Sequence, residues 1–172
     1  LSGFPYFNHD AGGFFSPGPT DGMFRQWSMA MGSFSPIWRP HGPGSSRWPT
    51  DRTTVVQETS HVYGDLRYEL IPYIYTYAYR AHETGEPMAR PMLLDYQDNP
   101  VAWTKDQQYM FGEEFLVSPV CSDGDAYAET WFPPYDGAWY DFWTDTKYAS
   151  GQRSRSLYYD CGVLPLFVKE GA

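Results

Sequence analysis

Two strand–loop–helix units stand ahead of residue 87, and two such units cannot complete a fold by themselves. A parallel sheet is buried on both faces, so its strands need neighbours and covering helices on each side. Residues 3–8, Gly-Phe-Pro-Tyr-Phe-Asn, read as a short buried strand. A turn-rich stretch through Gly12-Gly13 and Pro17-Gly18-Pro19 follows it. Thr20 or Asp21 can then cap a helix over Gly22–Met31, since their side-chain oxygens accept orphan backbone N–H groups, and Gly32 can end it. Ser35–Arg39 reads as a second short strand, and a long loop runs from His41 to Thr54.

The clearest helix comes next. Val62, Leu66, Leu70, Ile74, Tyr77 and Ala81 recur at spacings of three and four, which predicts one buried stripe. Thr59 or Ser60 could start this helix, and Gly85 supplies the residue after its end. Pro72 falls inside the stripe and removes a ladder hydrogen bond, so a kink is expected there.

The texture changes after Glu86-Pro87. Met88–Leu94, Tyr109–Phe111, Phe115–Val120, Ala128–Phe132, Trp139–Phe142 and Leu164–Val168 are short apolar runs separated by Asp, Gly, Asn and Pro turns. That spacing is the pattern of an antiparallel β-sandwich. The first half must either pair with something else or be the end of a larger β/α fold. In a (β/α)8 barrel the chemistry gathers at the C-terminal ends of the strands. Here those ends carry Asn8-His9-Asp10 and Arg39-Pro40-His41.

Composition narrows the partners. The chain holds 12 Lys+Arg against 21 Asp+Glu, a net charge of −9, and so lacks the basic face that nucleic acid requires. Aromatic residues make up 19%, alongside 16 Gly and 15 Pro, a balance that suits carbohydrate recognition: rings stack on sugar faces and carboxylates accept hydroxyl hydrogen bonds. A rigid, turn-rich fold with aromatic packing has the same composition. No run of 18 apolar residues occurs, so no membrane span is expected, and no signal-peptide pattern opens the chain. Cys121 and Cys161 could pair or remain two structural thiols; neither sits at a metal-ligand spacing. No metal or other cofactor is expected.

At this point the motifs carry a resemblance. Gly3-Phe-Pro-Tyr-Phe-Asn-His-Asp-Ala-Gly-Gly-Phe14 resembles the seventh-strand segment of the α-glucosidase-type glycoside hydrolases of family 31. Arg25-Gln-Trp-Ser-Met-Ala-Met-Gly-Ser-Phe-Ser-Pro36 resembles the helix and turn after it, and Ile37-Trp-Arg-Pro-His-Gly42 the end of strand eight. Leu70-Ile-Pro-Tyr-Ile-Tyr-Thr-Tyr-Ala-Tyr79 and Gly85-Glu-Pro-Met-Ala-Arg-Pro91 resemble the last helix and the entry to the proximal C-terminal β-domain. Gln108–Gly112, Phe115–Val120, Gly137–Trp143 and Leu164–Val168 continue in the family's order. The resemblance covers essentially the whole chain. It implies an α/β plus all-β fold: residues 1–86 as the last two β/α units of a (β/α)8 TIM barrel, and residues 87–172 as a proximal antiparallel β-sandwich.

The resemblance also implies a retaining mechanism with two carboxylates, one attacking the anomeric carbon and one protonating the leaving oxygen. The family's nucleophile segment, of the type Trp-x-Asp-Met-x-Glu, does not occur in this sequence, and neither does its acid/base segment. Both are expected upstream of Leu1, which makes the isolated chain catalytically inactive by expectation. What the resemblance carries over is sugar-binding apparatus. His41 matches the histidine that hydrogen-bonds hydroxyls in the −1 subsite, Asp10 the aspartate bordering that subsite, and Phe14 an aromatic lining the pocket. Arg39 and His9 match supporting positions. The loop Ser45-Ser-Arg-Trp-Pro-Thr-Asp51 departs from the Glu-Pro-Trp type sequence of many relatives.

Two carboxylate pairs compete as catalytic dyads. Adjacent side chains on extended backbone point to opposite faces, which argues against Glu113-Glu114, and Asp123-Gly-Asp125 reads as a turn too sparse in ligands for a calcium loop. Both pairs are expected to be solvated. The tyrosines at 73, 75, 77 and 79 are expected mostly to pack. The function expected is that of a segment of a retaining α-glycoside hydrolase acting on non-reducing-end α-linked sugars. Its partners would be an oligosaccharide or α-glycoside and the remainder of the catalytic barrel. The alternatives are a non-catalytic carbohydrate-binding or structural fragment, and an α-transglycosylase of the same family.

Overall fold

A computed structural model describes residues 2–15, 18–43, 47–120, 122, 124, 126–152 and 155–172. Asp123 and Asp125, expected as a solvated turn, and Cys121 of the cysteine pair lie outside these residues. The two expected strands of the first half run side by side. The Ile37 N–H donates to the Phe7 carbonyl at 3.2 Å and the Ala11 N–H to the Arg39 carbonyl at 3.3 Å. Ala11 and Pro40 form a parallel bridge.

Neither segment becomes a regular strand, and residues 3–8 are not buried. Phe4 is 72% exposed, and Tyr6 and Phe7 are exposed as well. The physical reason is one-sided pairing. Among the described residues each segment has only the other as a parallel neighbour, and Pro40 has no N–H to donate.

Thr20 caps the next helix as its sequence suggests: its side chain accepts from the Met23 N–H at 3.3 Å. After one α-turn, α1 (Asp21–Met23), the chain widens into a π-helix over Phe24–Met31. The π-helix buries Phe24, Gln26, Ser28, Met29 and Ala30. The Trp38 indole N–H donates to the Ser28 carbonyl at 2.6 Å. Gly32 is required beside it, because a Cβ there would lie 2.5 Å from the same indole nitrogen.

The long helix begins earlier than expected, at Thr54, and is two helices. α2 (Thr54–Glu69) buries Val56, Thr59 and Tyr63, one turn apart. Val62 is 54% exposed, so the stripe is phased on its neighbour Tyr63. Leu70, with ψ near −4°, interrupts the ladder, and α3 (Ile71–Thr84) restarts with Pro72 in its first turn. A missing N–H costs nothing there, which is why the expected kink is a restart. Gly85 closes α3 in the left-handed conformation, at φ 79°. Of the four tyrosines, Tyr77 is buried and Tyr73 half-buried, while Tyr75 and Tyr79 are exposed.

The second half is antiparallel. Six strands form one sheet in the order β1 (Ala89–Pro91), β2 (Tyr109–Phe111), β3 (Phe115–Val117), β8 (Leu166–Lys169), β5 (Ala138–Asp141) and β6 (Lys147–Ala149). β4 (Tyr127–Thr130) and β7 (Arg155–Tyr158) make a second, two-stranded sheet. The tail of the Met88–Leu94 run is a short helix, α4 (Met92–Asp95). β6 and β7 escape an apolar-run search because their side chains are largely exposed.

Two apolar clusters form. One, with Met92, Met110, Leu116, Trp131, Phe132, Trp139 and Phe167, fills the sandwich. The other crosses the halves: Phe24, Met29, Phe34, Val56, Tyr63 and Tyr77 pack with Met88, Phe111, Phe115, Leu164 and Leu166.

Polar contacts follow the same seam. The Tyr63 hydroxyl accepts from the Leu164 N–H at 2.7 Å. Arg25 donates to the Thr59 hydroxyl at 2.8 Å and to the Cys161 sulfur at 2.9 Å. Glu114 corrects an expectation: it is half-buried and accepts from the Tyr73 and Tyr77 hydroxyls, each at 2.7 Å. Burial, then the hydrogen bond to Glu114, pushes the Tyr77 hydroxyl up to about 12. Glu113 points elsewhere and pairs with Arg80 at 2.5 Å, so the two carboxylates do not act as a dyad.

Gly112 sits in this seam at φ 64°, and a Cβ there would run into the Tyr73 hydroxyl and lie 2.6 Å from the Tyr77 ring. Gly112→Ala is expected to cost about 2–4 kcal/mol from the positive φ and overpacking together. The shift in urea midpoint checks it; a loss under ~0.5 kcal/mol, the usual range for surface changes, would show that the seam yields freely.

Candidate functional site

Two loops leave the C-terminal ends of the paired segments; Phe14 and His41 sit on them, and His9, Asp10 and Arg39 on the segment ends just before. In the first loop Gly12 and Gly13 take φ values of 90° and 79°, which other residues adopt poorly. A Cβ at Gly12 would lie 2.5 Å from the Ser28 hydroxyl, so the loop lies directly on the π-helix. This close approach forms a cleft of ≈ 600 Å³ between the loop (Asp10, Phe14, Phe15) and the helix (Met23, Trp27).

The five expected residues form contacting pairs rather than one cluster. Asp10 faces Arg39, with a carboxylate oxygen 3.5 Å from the guanidinium. Both are substantially solvent-exposed, so the pair contributes little to stability and leaves the carboxylate open to other donors. Phe14 meets His41 with ring centroids 5.4 Å apart and planes tilted by 45°. His9 lies parallel to the Trp27 ring at 6.5 Å. Asp10 and Phe14 line the cleft; His9 instead lines a second cavity of ≈ 470 Å³ with Phe7, Phe34, Arg90 and Tyr109.

His9 is electrostatically distinct. Its Nε2 is buried without a hydrogen-bond partner. Burial lowers its pKa below the ordinary 6.5, with the neighbouring Asp10 charge opposing part of that effect.

Arg47 is the organising residue that sequence reasoning passed over. It is only 3% exposed. Its guanidinium donates to the Gly13 carbonyl at 2.7 Å, the Phe15 carbonyl at 2.7 Å and the Phe14 carbonyl at 3.4 Å. The signal was a lone arginine inside a loop already marked as atypical. Trp48 beside it is exposed.

The arrangement sets a carboxylate acceptor, Asp10, beside the apolar faces of Phe14, Phe15 and Trp27 at one opening, with the His41 imidazole behind Phe14. Among the described residues no group of three or more His, Cys, Asp or Glu side chains could hold a metal ion, and no helix is long and apolar enough to cross a membrane.

Family comparison decides the lineage. The model of the glycosyl hydrolases family 31 TIM-barrel domain matches residues 1–77, and that of the glycosyl hydrolase family 31 C-terminal domain matches residues 85–172. The chain belongs to glycosyl hydrolase family 31. Its fold is accordingly the end of that family's TIM barrel followed by its C-terminal β-domain. An α-xylosidase of Saccharolobus solfataricus is 36% identical over all of this family 31 chain, which spans 24% of that protein. An isomaltosyltransferase of Sporosarcina globispora is 32% identical, again over the whole chain, which spans 16% of it. The crystallised cycloalternan-forming enzyme of Listeria monocytogenes, in complex with a pentasaccharide substrate, superposes with a TM-score of 0.92. It is 33% identical over 99% of this chain and 17% of its own. The chain thus spans about a quarter or less of these relatives.

The half-buried His9 has a consequence for pH. With its folded-state pKa depressed, the unfolded chain takes up the proton first as pH falls. The stability this neutral imidazole contributes is present above pH 6.5 and is lost as pH drops through the depressed folded-state value. His9→Phe is expected to flatten the fall in urea midpoint on acidification from pH 7 to about 5, the range in which histidines titrate. An unchanged slope would show that His9 does not contribute to it.

Proposed function

We propose that this chain is the strand-seven, strand-eight and β-domain portion of a retaining α-glycoside hydrolase acting at non-reducing ends. In this reading residues 1–86 complete the catalytic barrel, residues 87–172 form the proximal β-sandwich, and the reacting carboxylates come from barrel segments outside the 172 residues. The observation that carries the reading is the pairing of Phe14 with His41 across the two strand-end loops, above a cleft that takes in Asp10. His41 hydrogen-bonds sugar hydroxyls in the −1 subsite, Asp10 borders the same ring, and Phe14 shields one face. Arg39 orients Asp10 through their ion pair, and His9 supports the loop through its stack on Trp27. A hydroxyl held by His41 binds more strongly as positive charge develops on the sugar ring, so the contact assists turnover as well as binding. Family membership supports the glycosidase assignment.

A second reading has support of its own. An isomaltosyltransferase and a cycloalternan-forming enzyme stand among the relatives, which favours transfer of the glycosyl group to a sugar acceptor with the same binding residues. Product analysis with and without a saccharide acceptor separates the two: free sugar alone fits hydrolysis, and elongated or cyclised products fit transfer.

His41→Ala in the complete enzyme is expected to lower kcat/KM by about 10–1000-fold, as for one or two strong polar contacts to the transition state. Steady-state kinetics on a panel of aryl α-glycosides reads the effect. Wild-type kinetics in the variant would remove His41 from the site.

A further inference from the structure

We propose that Arg47 is a positioning residue for the sugar site: it clasps the two strand-end loops together and so fixes Phe14 against His41. The proposal rests on the reading of the Asp10–Phe14 cleft as a sugar subsite. The first loop turns through two positive-φ glycines, and this leaves the consecutive carbonyls of Gly13, Phe14 and Phe15 facing one guanidinium. Carbonyls curled in this way have no helix or sheet ladder to satisfy them. An arginine fork meets several at once, because its five N–H donors are fixed in one plane.

The second loop, which carries Arg47, also packs on this cation at Gly42. A Cβ on Gly42 would lie 2.6 Å from the Arg47 Nε and 3.0 Å from the Phe14 carbonyl oxygen. Gly42 directly follows His41. One buried cation therefore holds the backbone of Phe14 and abuts the backbone next to His41, the two residues whose rings meet at 5.4 Å. Arg47 hydrogen-bonds loop carbonyls, so it acts on a sugar only through these neighbours. A lysine in its place offers one compact ammonium and cannot span the Gly13 and Phe15 carbonyls as the fork does.

The test compares Arg47→Gln and Arg47→Lys with His41→Ala in the complete enzyme, measuring kcat and KM on an aryl α-glycoside and the thermal midpoint of each protein. Loss of the clasp removes binding contacts without touching the reacting carboxylates. Arg47→Gln is therefore expected to raise KM about tenfold and to lower kcat by less than His41→Ala does, and Arg47→Lys to recover part of both losses. An unchanged KM in folded Arg47 variants, beside a damaged His41→Ala, overturns the clasp and leaves the sugar-site reading standing. Unchanged kinetics in all three overturns the sugar-site reading itself. A loss of kcat with KM constant, or Arg47 variants that do not fold at all, overturns the proposal in favour of a role in chemistry or in stability.

Discussion

The apolar seam between the helical half and the sheet is the interaction on which the rest depends. Phe34, at the end of the π-helix segment, packs edge-on against Phe111 at 5.7 Å and against Phe115 at 5.6 Å. Each buried ring of this kind contributes about 1.5–3 kcal/mol, and each ring pair about 0.5–1.5 kcal/mol more. Tyr63, Leu164 and Leu166 extend the same cluster. The paired segments 7–11 and 37–40 hold each other by only a few backbone bonds. Their position is inherited from the helices beneath them, and the helices take theirs from the sheet. The β-domain is thus part of what locates the cleft, though among the described residues it contributes none to the lining.

The cleft itself follows a different logic. Its wall is a loop, and loops lack ladders, so its order comes from close backbone packing and from one buried cation. Gly12 and Gly13 let the loop lie on Ser28 and Trp27. The polar residues above it stay accessible: the Asp10–Arg39 pair is open to solvent. A rigid frame beneath accessible polar groups is the general construction of a binding site.

The features that could be read from the sequence divide along the same line. The capping at Thr20 and Gly85 was legible because it depends on the residue itself and its immediate neighbours. The strong strands β2, β3, β5 and β8 were legible as apolar runs. The start of α2 was not, since Thr53 spends its hydroxyl on Asp21 at 2.5 Å and the helix caps without a side-chain bond. Residues 3–8 are apolar yet largely exposed, because apolar content implies a partner that these residues do not supply to one another. Pairing of Asp10 with Arg39 and of Phe14 with His41 could be expected only through the resemblance to a known barrel. Glu114 carries no local mark and Arg47 only its place in an atypical loop: each is defined by groups more than 30 positions away, the loop carbonyls for one and two tyrosine hydroxyls for the other.

The π-helix at Phe24–Met31 fixes a phase as well as a path. An α-helix turns by about 100° with each residue, and a π turn takes an extra residue to come round. Trp27 therefore reaches the cleft while Met29, Ala30 and Phe34 are all buried in the seam. Removing one residue here would return a wide turn to the α-helical count, and the narrower turn would then have to carry both Trp27 to the cleft and Phe34 to the sheet. Chain length at this point is thereby a structural variable in its own right, beside the side chains of the site.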